Sequence, residues 1–256
     1  IASAIVIFGI IGFFIYVVVM FMRQKKLDEM KTDFINNMTH ELKTPISTIS
    51  LSSNVIMKKD IISQPERLYH YAEIISQENE RLKIQVERVL QLALFEQKDF
   101  GLNFQSISVD KIIEKAIEPF KPLLQEKNGK YSIKGDDLFV EADEHHFYNA
   151  ISNLIDNAIK YCKEENPIIE ITKTNLGKNI SIKVKDNGIG MEKEEMKHIF
   201  KKFYRAPTGN IHDVKGFGIG LSYVEQIVKM HNGSIKVNSW KNKGTAFDIT
   251  LPKKQV

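Results

Sequence analysis

"HHFYNAISNLIDNAIKYC", residues 145–162, reads as a single amphipathic helix with two dissimilar sides. At about 100° per residue, Phe147, Ala150, Ile151, Leu154, Ile155, Ala158 and Tyr161 line an apolar side. Asn149, Asn153, Asp156, Asn157 and Lys160 gather opposite them. Asparagine is a weak helix former, and Glu, Lys or Gln would solvate the same surface at lower cost. A row of amides with one lysine suits the holding of a polar ligand, through a metal ion with its waters if one is bound. A polar face that binds nothing is the plainer alternative.

Segments of alternating apolar and polar residues surround this helix and read as half-buried strands: "IIEIT" (168–172), "ISIKVKD" (180–186), "SIKVNS" (234–239) and "TAFDITL" (245–251). Amphipathic helices are expected at about 111–126, 144–162 and 219–231, the last stopped by "HNG". The pattern predicts an α/β sandwich. Two glycine clusters punctuate it. "DNGIGM" (186–191) carries a strand into an acid and two glycines, so the backbone can approach a ligand closely while Asp186 accepts a hydrogen bond from an exocyclic amine. "GFGIGL" (216–221) opens a helix, whose N-terminal amides would point at an anion such as a phosphate. It is not the dinucleotide fingerprint, because no strand leads into it and no βαβ unit contains it. Between the clusters, "IFKKFY" (199–204) and "RAPTGNIHDVK" (205–215) read as a lid, with Lys202 and Arg205 able to meet phosphate oxygens.

The texture before residue 101 is different. The first 22 residues carry no charge and would span roughly 33 Å as a helix, enough for a bilayer core. "RQKK" follows at once, which places everything after Arg23 on the cytoplasmic side. A signal peptide fits less well, since the apolar run is long and no small-residue cleavage site follows it. The chain opens on Ile rather than Met, so a preceding portion is expected.

From Lys26 to Ile56 a helix is expected with Ile35, Met38, Leu42, Ile46, Ile49 and Ile56 on one narrow stripe. His40 lies about 180° from that stripe, with Glu41 beside it and Thr44 one turn further on. Pro45 is expected to kink the helix just after the histidine. A solvated histidine on a coiled-coil surface is the plain reading of His40. A second helix, about 66–96, repeats Leu68, Ile75, Leu82 and Val89 every seven residues, with Ala72, Asn79, Val86 and Ala93 as companions. An antiparallel hairpin with stripes this long cannot bury them alone, and a dimer closing a four-helix bundle would. Asn79 would then sit in the seam and help to set register. The fold class expected is α+β: transmembrane helix, helical hairpin, then the sandwich.

Composition narrows the function. Thirty-six basic and 32 acidic residues, spread widely for a net charge of +4, make no nucleic-acid footprint. The lone Cys162 excludes an internal disulfide, in keeping with a reducing compartment.

Six stretches taken together resemble the membrane-bound sensor histidine kinases of two-component signalling. "FINNMTHELKTPIS" is similar to their phosphoacceptor box, "NAISNLIDNAIKY" to the N box and "DNGIGM" to G1. "IFKKFYR" is similar to the F box, "GFGIGL" to G2 and "GTAF" (244–247) to G3. All occur in the family's order and cover nearly everything after residue 28.

The resemblance implies a dimeric histidine-bearing hairpin of the HisKA type and an ATP-binding domain of the Bergerat fold. It implies a transmembrane helix at 1–22, a juxtamembrane linker at 23–33, a dimerisation and phosphotransfer hairpin at 28–98 and a catalytic domain at 102–254. His40 would be phosphorylated from Mg-ATP and pass the group to an aspartate of a response regulator, with Glu41 accepting its proton and Thr44 assisting dephosphorylation of that regulator. Asn157 would ligate Mg²⁺, Asn153 and Lys160 support the phosphates, Tyr161 line the pocket, Asp186 read adenine and Arg205 assist transfer. Gly188, Gly190, Phe203, Gly216, Gly218, Gly220, Leu221 and Thr245 would complete the nucleotide site. A bacterial inner membrane location follows.

Only about ten residues separate the apolar helix from the phosphoacceptor helix, which leaves no room for the HAMP relay that many such kinases carry. Two rivals remain. Related Bergerat ATPases place a water-activating glutamate four residues before the metal asparagine, where this chain has Asn153. A membrane-anchored coiled-coil scaffold that only senses nucleotide is the other.

Overall fold

The computed structural model describes residues 2–94, 101–162, 166–205 and 218–255. It divides into two compact units, Ile1–Val86 and Glu87–Val256.

The first unit contains α1 (Ala2–Ile56), a 3-10 turn (Lys59–Ser63) and α2 (Pro65–Leu94), which continues past the unit's end. The apolar segment and the phosphoacceptor-like segment are thus parts of one 55-residue helix. Val6 to Met22 carry a run of large apolar side chains left exposed, from 40% at Val18 to 75% at Phe8. The helix is long and apolar enough to cross a membrane.

Pro45 lies inside α1 and is buried, so the expected interruption is a gap in the hydrogen-bond ladder of a continuous helix. Threonines thread that turn. The Thr44 hydroxyl donates to the His40 carbonyl (3.4 Å) and the Thr48 hydroxyl to the Thr44 carbonyl (3.1 Å).

Phe34, Met38, Leu42, Pro45, Ile49 and Ser52 are turned from solvent on α1, while Ile35 and Ile46, expected on the same stripe, are exposed. On α2 the covered residues are Leu68, Tyr71, Ile75, Glu78, Leu82 and Gln85, while Ala72, Asn79 and Val86 are exposed.

The second unit is a two-layer structure. Its elements in order are β1 (Gln105–Ser108), α3 (Val109–Ile117), a 3-10 turn (Glu118–Phe120), α4 (Lys121–Glu126), β2 (Lys130–Gly135), β3 (Phe139–Ala142), α5 (Glu144–Lys160), β4 (Ile168–Leu176), β5 (Asn179–Asp186), α6 (Lys193–Met196), α7 (Gly220–Met230), β6 (Ser234–Trp240) and β7 (Gly244–Pro252). A five-stranded sheet has the order β2-β4-β5-β7-β6, with β2 parallel to β4 and the other pairs antiparallel. β1 and β3 pair antiparallel in a separate ribbon.

One face of the large sheet, including Ile169, Ile171, Ile182, Val184, Phe247 and Ile249, forms a single core with α3, α5 and α7. The other face is charged, with Lys185 against Glu170 (2.9 Å) and Lys183 against Asp248 (3.7 Å). The helix expected at 111–126 is broken into three pieces, with Pro119 and Pro122 at the starts of the second and third.

Local chemistry fixes the two helices that matter most. Asp143 caps α5, one oxygen accepting the His146 N–H (3.0 Å) and the other the Asn103 N–H (2.9 Å). These amide bonds outweigh the burial that would raise its carboxyl, and its pKa is lowered. Beyond α7, Asn232 takes φ 53°, and the N–H groups of Asn232 and Gly233 bond the Lys229 and Val228 carbonyls (3.0 and 2.9 Å).

His231, fully buried, joins the two helices: its Nε2 accepts the Asp143 N–H (2.9 Å) and its Nδ1 donates to the Ile227 carbonyl (2.7 Å). Burial lowers its pKa, and that of His146 likewise. The unfolded chain, with His near 6.5, therefore binds more protons below that pH than the folded one. Stability contributed by His231 is complete above about pH 6.5 and declines as pH falls below it. Amide exchange of α5 and α7, corrected for intrinsic rates, is expected to be faster at pH 5.5 than at pH 7.5. His231→Gln should remove part of that difference, leaving the part due to His146.

Candidate functional site

The polar side of α5 forms the floor. Asn153, Asp156, Asn157 and Lys160 are all half-buried. Asn153 Nδ2 donates to the Asn149 carbonyl (2.8 Å), one turn back, so its Oδ1 points away from that turn. Gly220, the first residue of α7, lies over that oxygen: a Cβ there would sit 2.7 Å from it. Asn157 has no side-chain hydrogen bond among the described residues, which leaves its amide oxygen free for a ligand. Lys160 is held by Asp156 (2.6 Å), an i,i+4 pair.

One wall is the turn after β5. The Asp186 side chain turns back, and its Oδ1 accepts the Gly188 N–H (2.8 Å) and the Thr245 N–H (3.0 Å). Oδ2 is left without a partner among the described residues. Burial raises the Asp186 pKa, and the two amide bonds oppose the rise without cancelling it. At Gly188 a Cβ would lie 2.6 Å from the Tyr161 carbonyl, and at Gly190, with φ 63°, it would strike the Trp240 carbonyl. Both must therefore be glycine for the turn to seat between α5 and β6. The Ile189 N–H bonds the Tyr161 carbonyl (2.9 Å), tying the turn to the end of α5.

Tyr161 itself has its phenol pKa raised by burial, with the charge of Arg205 acting in the opposite sense. Arg205 itself is exposed. Thr245 takes part through its backbone, since its hydroxyl is bonded to Ser239 (2.9 Å). Phe203 has φ 66° and donates its N–H to the Gly218 carbonyl (2.9 Å), joining the segment at 199–204 to the glycine-containing turn before α7. Leu221 packs against the core. Gly216 and most of the expected lid lie outside the described residues.

Sequence reasoning missed Ser239, whose hydroxyl accepts the Met191 N–H (2.8 Å) and donates to the Gly244 carbonyl (3.0 Å). A lone serine in a strand carries no signal for this. The structure brings together Asn153 with Gly220, and Tyr161 with Gly188, Asp186 and Thr245. His40, Glu41 and Thr44 belong to the other unit, on α1, where His40 and Thr44 are exposed and Glu41 is half-buried.

A polar site results: a half-buried carboxylate, unpaired amide functions and glycine backbone. The first N–H groups of α7 have no side-chain cap. A carboxylate acceptor beside a tight glycine turn fits an amine-bearing ring, and uncapped helix amides fit phosphate oxygens. No group of three or more His, Cys, Asp or Glu side chains suited to a metal occurs among the described residues. A metal here would thus be held through an amide oxygen and the ligand's own oxygens.

Residues 142–255 match the family described as histidine kinase-, DNA gyrase B- and HSP90-like ATPase, and residues 30–98 match the His Kinase A (phospho-acceptor) domain. The chain is 43% identical over 242 residues to sensor protein RprX of Bacteroides fragilis, covering 93% of this chain and 47% of that protein. It is 30% identical over 240 residues to sensor histidine kinase WalK of Bacillus subtilis, covering 91% and 38%. It thus spans under half the length of these curated relatives. Among solved structures it is similar to histidine kinase ThkA in complex with response regulator protein TrrA, with a TM-score of 0.54, 24% identity, and coverage of 84% of this chain and 59% of that one.

Proposed function

Because the chain belongs to the sensor histidine kinases of two-component signalling, we propose that it phosphorylates its own His40 from Mg-ATP and passes the group to an aspartate of a response regulator. One observation carries the reading: an exposed histidine followed by a half-buried glutamate on the His Kinase A helix occurs in the same chain as a site whose carboxylate, amides and glycines suit a nucleotide.

Asp186 Oδ2 would accept the adenine amine, and Tyr161 would line the pocket. Asn157 would hold Mg²⁺, while Asn153, Lys160 and the amides around Gly218 and Gly220 would support the phosphates. Arg205 would neutralise charge during transfer. At α1, a ring nitrogen of His40 forms the new N–P bond as the bond to the ADP oxygen breaks, and Glu41 takes the imidazole proton. The remaining catalysis is positioning and charge neutralisation, as in other phosphoryl transfers. The rival ATPase reading lacks its water-activating base, since that position is Asn153.

The unit assignments follow: α1 anchors the chain at 1–22 in a bacterial inner membrane, a linker spans 23–33, residues 28–98 form the dimerising hairpin and 102–254 the catalytic domain. The basic "RQKK" after the apolar run supports a cytoplasmic position for everything beyond Arg23. Labelling from Mg-ATP followed by transfer to a panel of response regulators tests the whole sequence of steps, and absence of both would remove it.

The apolar residues left uncovered on the hairpin, Ile35, Ile46 and Val86 among them, support a second copy as their partner. A soluble fragment beginning near residue 28 is expected to sediment as a dimer. Leu82→Asn should weaken association and stability by about 2–5 kcal/mol, the usual cost of losing a buried leucine. A monomer at micromolar concentration would contradict the bundle.

Glu41 and Thr44 should separate two activities. Glu41→Gln is expected to slow labelling of His40 by roughly 10²-fold, the low end of a general-base contribution. Thr44 is exposed and already donates its proton to the His40 carbonyl, so its lone pairs are available to orient a water. Thr44→Ala should leave labelling intact and prolong the life of phosphorylated regulator. Equal lifetimes with and without the hydroxyl would remove that role.

A further inference from the structure

α5 and α7 run antiparallel and meet at three levels. At the first, the Asp143 N–H donates to His231 (2.9 Å). At the second, the Tyr223 hydroxyl meets His146 Nδ1 (3.0 Å). At the third, Gly220 lies over Asn153, with 2.7 Å between a Cβ position and Oδ1. The start of α7 does little to fix itself. It has no side-chain N-cap, and the turn before it passes through Gly218 at φ 69°. Apolar packing along the rest of the pair, by Ala150, Ile151, Val224 and Ile227, is non-directional and tolerates small slides and rotations. Tyr223 is 1% exposed, and a buried phenol in such a core costs stability unless its hydroxyl is bonded.

We propose that Tyr223 is a positioning residue for nucleotide phosphates. By bonding His146 its hydroxyl sets the rotation and register of α7 on α5. That in turn holds the uncapped amides at Gly218–Leu221 over Asn153. The inference rests on the nucleotide reading of the site. It differs from it in assigning a function to a side chain that touches no ligand and lies one turn inside the helix.

The test is titration calorimetry on the detergent-solubilised full chain with Mg-ATP and, separately, adenosine. Tyr223→Phe keeps the ring and removes only the hydroxyl. It is expected to weaken Mg-ATP binding about 5- to 20-fold while leaving adenosine binding within twofold, because the adenine side of the site is built from β5 and β7. His146→Gln, which keeps a hydrogen-bonding group facing Tyr223, should retain Mg-ATP affinity within about twofold. Unchanged Mg-ATP affinity in Tyr223→Phe overturns the proposal, and so does equal weakening of both ligands, which would mark a general loss of structure. If Tyr223→Phe loses exchange protection throughout α5, His146→Leu removes the same bond and carries the same expectation and the same contrary results. Failure of the unsubstituted protein to bind either ligand would be failure of the nucleotide reading itself, and the proposal would fall with it.

Discussion

Asp186→Asn is expected to weaken ATP binding by roughly 5- to 140-fold without unfolding the second unit. The two oxygens of Asp186 have different tasks. Oδ1 accepts the Gly188 and Thr245 N–H groups, and an asparagine oxygen can take over both bonds. The asparagine nitrogen must then occupy the Oδ2 position, where it presents a donor to the adenine amine, itself a donor. A lost acceptor and a buried mismatched group cost about 1–3 kcal/mol together. At 1.4 kcal/mol per factor of ten, that gives the stated range. Calorimetry checks it, with exchange protection of β5 and β7 as the control for folding. The same oxygen predicts a pH effect. Burial raises the Asp186 pKa, so its proton returns, converting acceptor to donor, at a higher pH than for an ordinary carboxyl. ATP affinity should therefore fall with acidification sooner than dissolved aspartate would predict. Affinity in Asp186→Asn equal to that of the unsubstituted protein would remove Asp186 as the adenine reader.

His40→Gln is expected to abolish labelling altogether while ATP binding stays within twofold. The residue is exposed on α1, makes no side-chain hydrogen bond among the described residues, and lies in a different unit from the proposed nucleotide site. Its replacement thus costs the fold little. Glutamine keeps helix propensity and polarity but offers no ring nitrogen to the phosphoryl group. Intact affinity with no label separates loss of the acceptor from loss of the site. Residual label above a few per cent would identify a second acceptor.

Periodicity revealed those parts of the fold that are long enough to show it. α5, α7 and β4 to β7 were legible because each presents several turns or alternations. β1 (Gln105–Ser108) and β3 (Phe139–Ala142) were not, being four residues each and therefore carrying at most two alternations. β2 escaped notice as a half-exposed strand at the sheet edge. The helix expected at 111–126 was over-extended because its apolar spacing continues through Pro119 and Pro122, each of which restarts the helix.

In the site, residue types were legible and partners were not. Asp186 and the glycines declared themselves, yet nothing local says that Asp186 binds the Thr245 amide, 59 residues on. His231 read as part of a helix stop, and its burial depends on the Asp143 backbone 88 residues away. The Lys160–Asp156 pair was visible at i,i+4 spacing, but a lysine on an amide-rich face invited a ligand reading first.

The stability of the label tests the central claim most directly. Protein incubated with Mg-ATP carrying a labelled γ-phosphate is split between acid and base and then digested, and the labelled peptide is identified. A phosphoramidate on His40 predicts label lost in acid, kept in base, and confined to the peptide that contains "THELK". Label that survives acid, or that maps to any other peptide, would contradict the account.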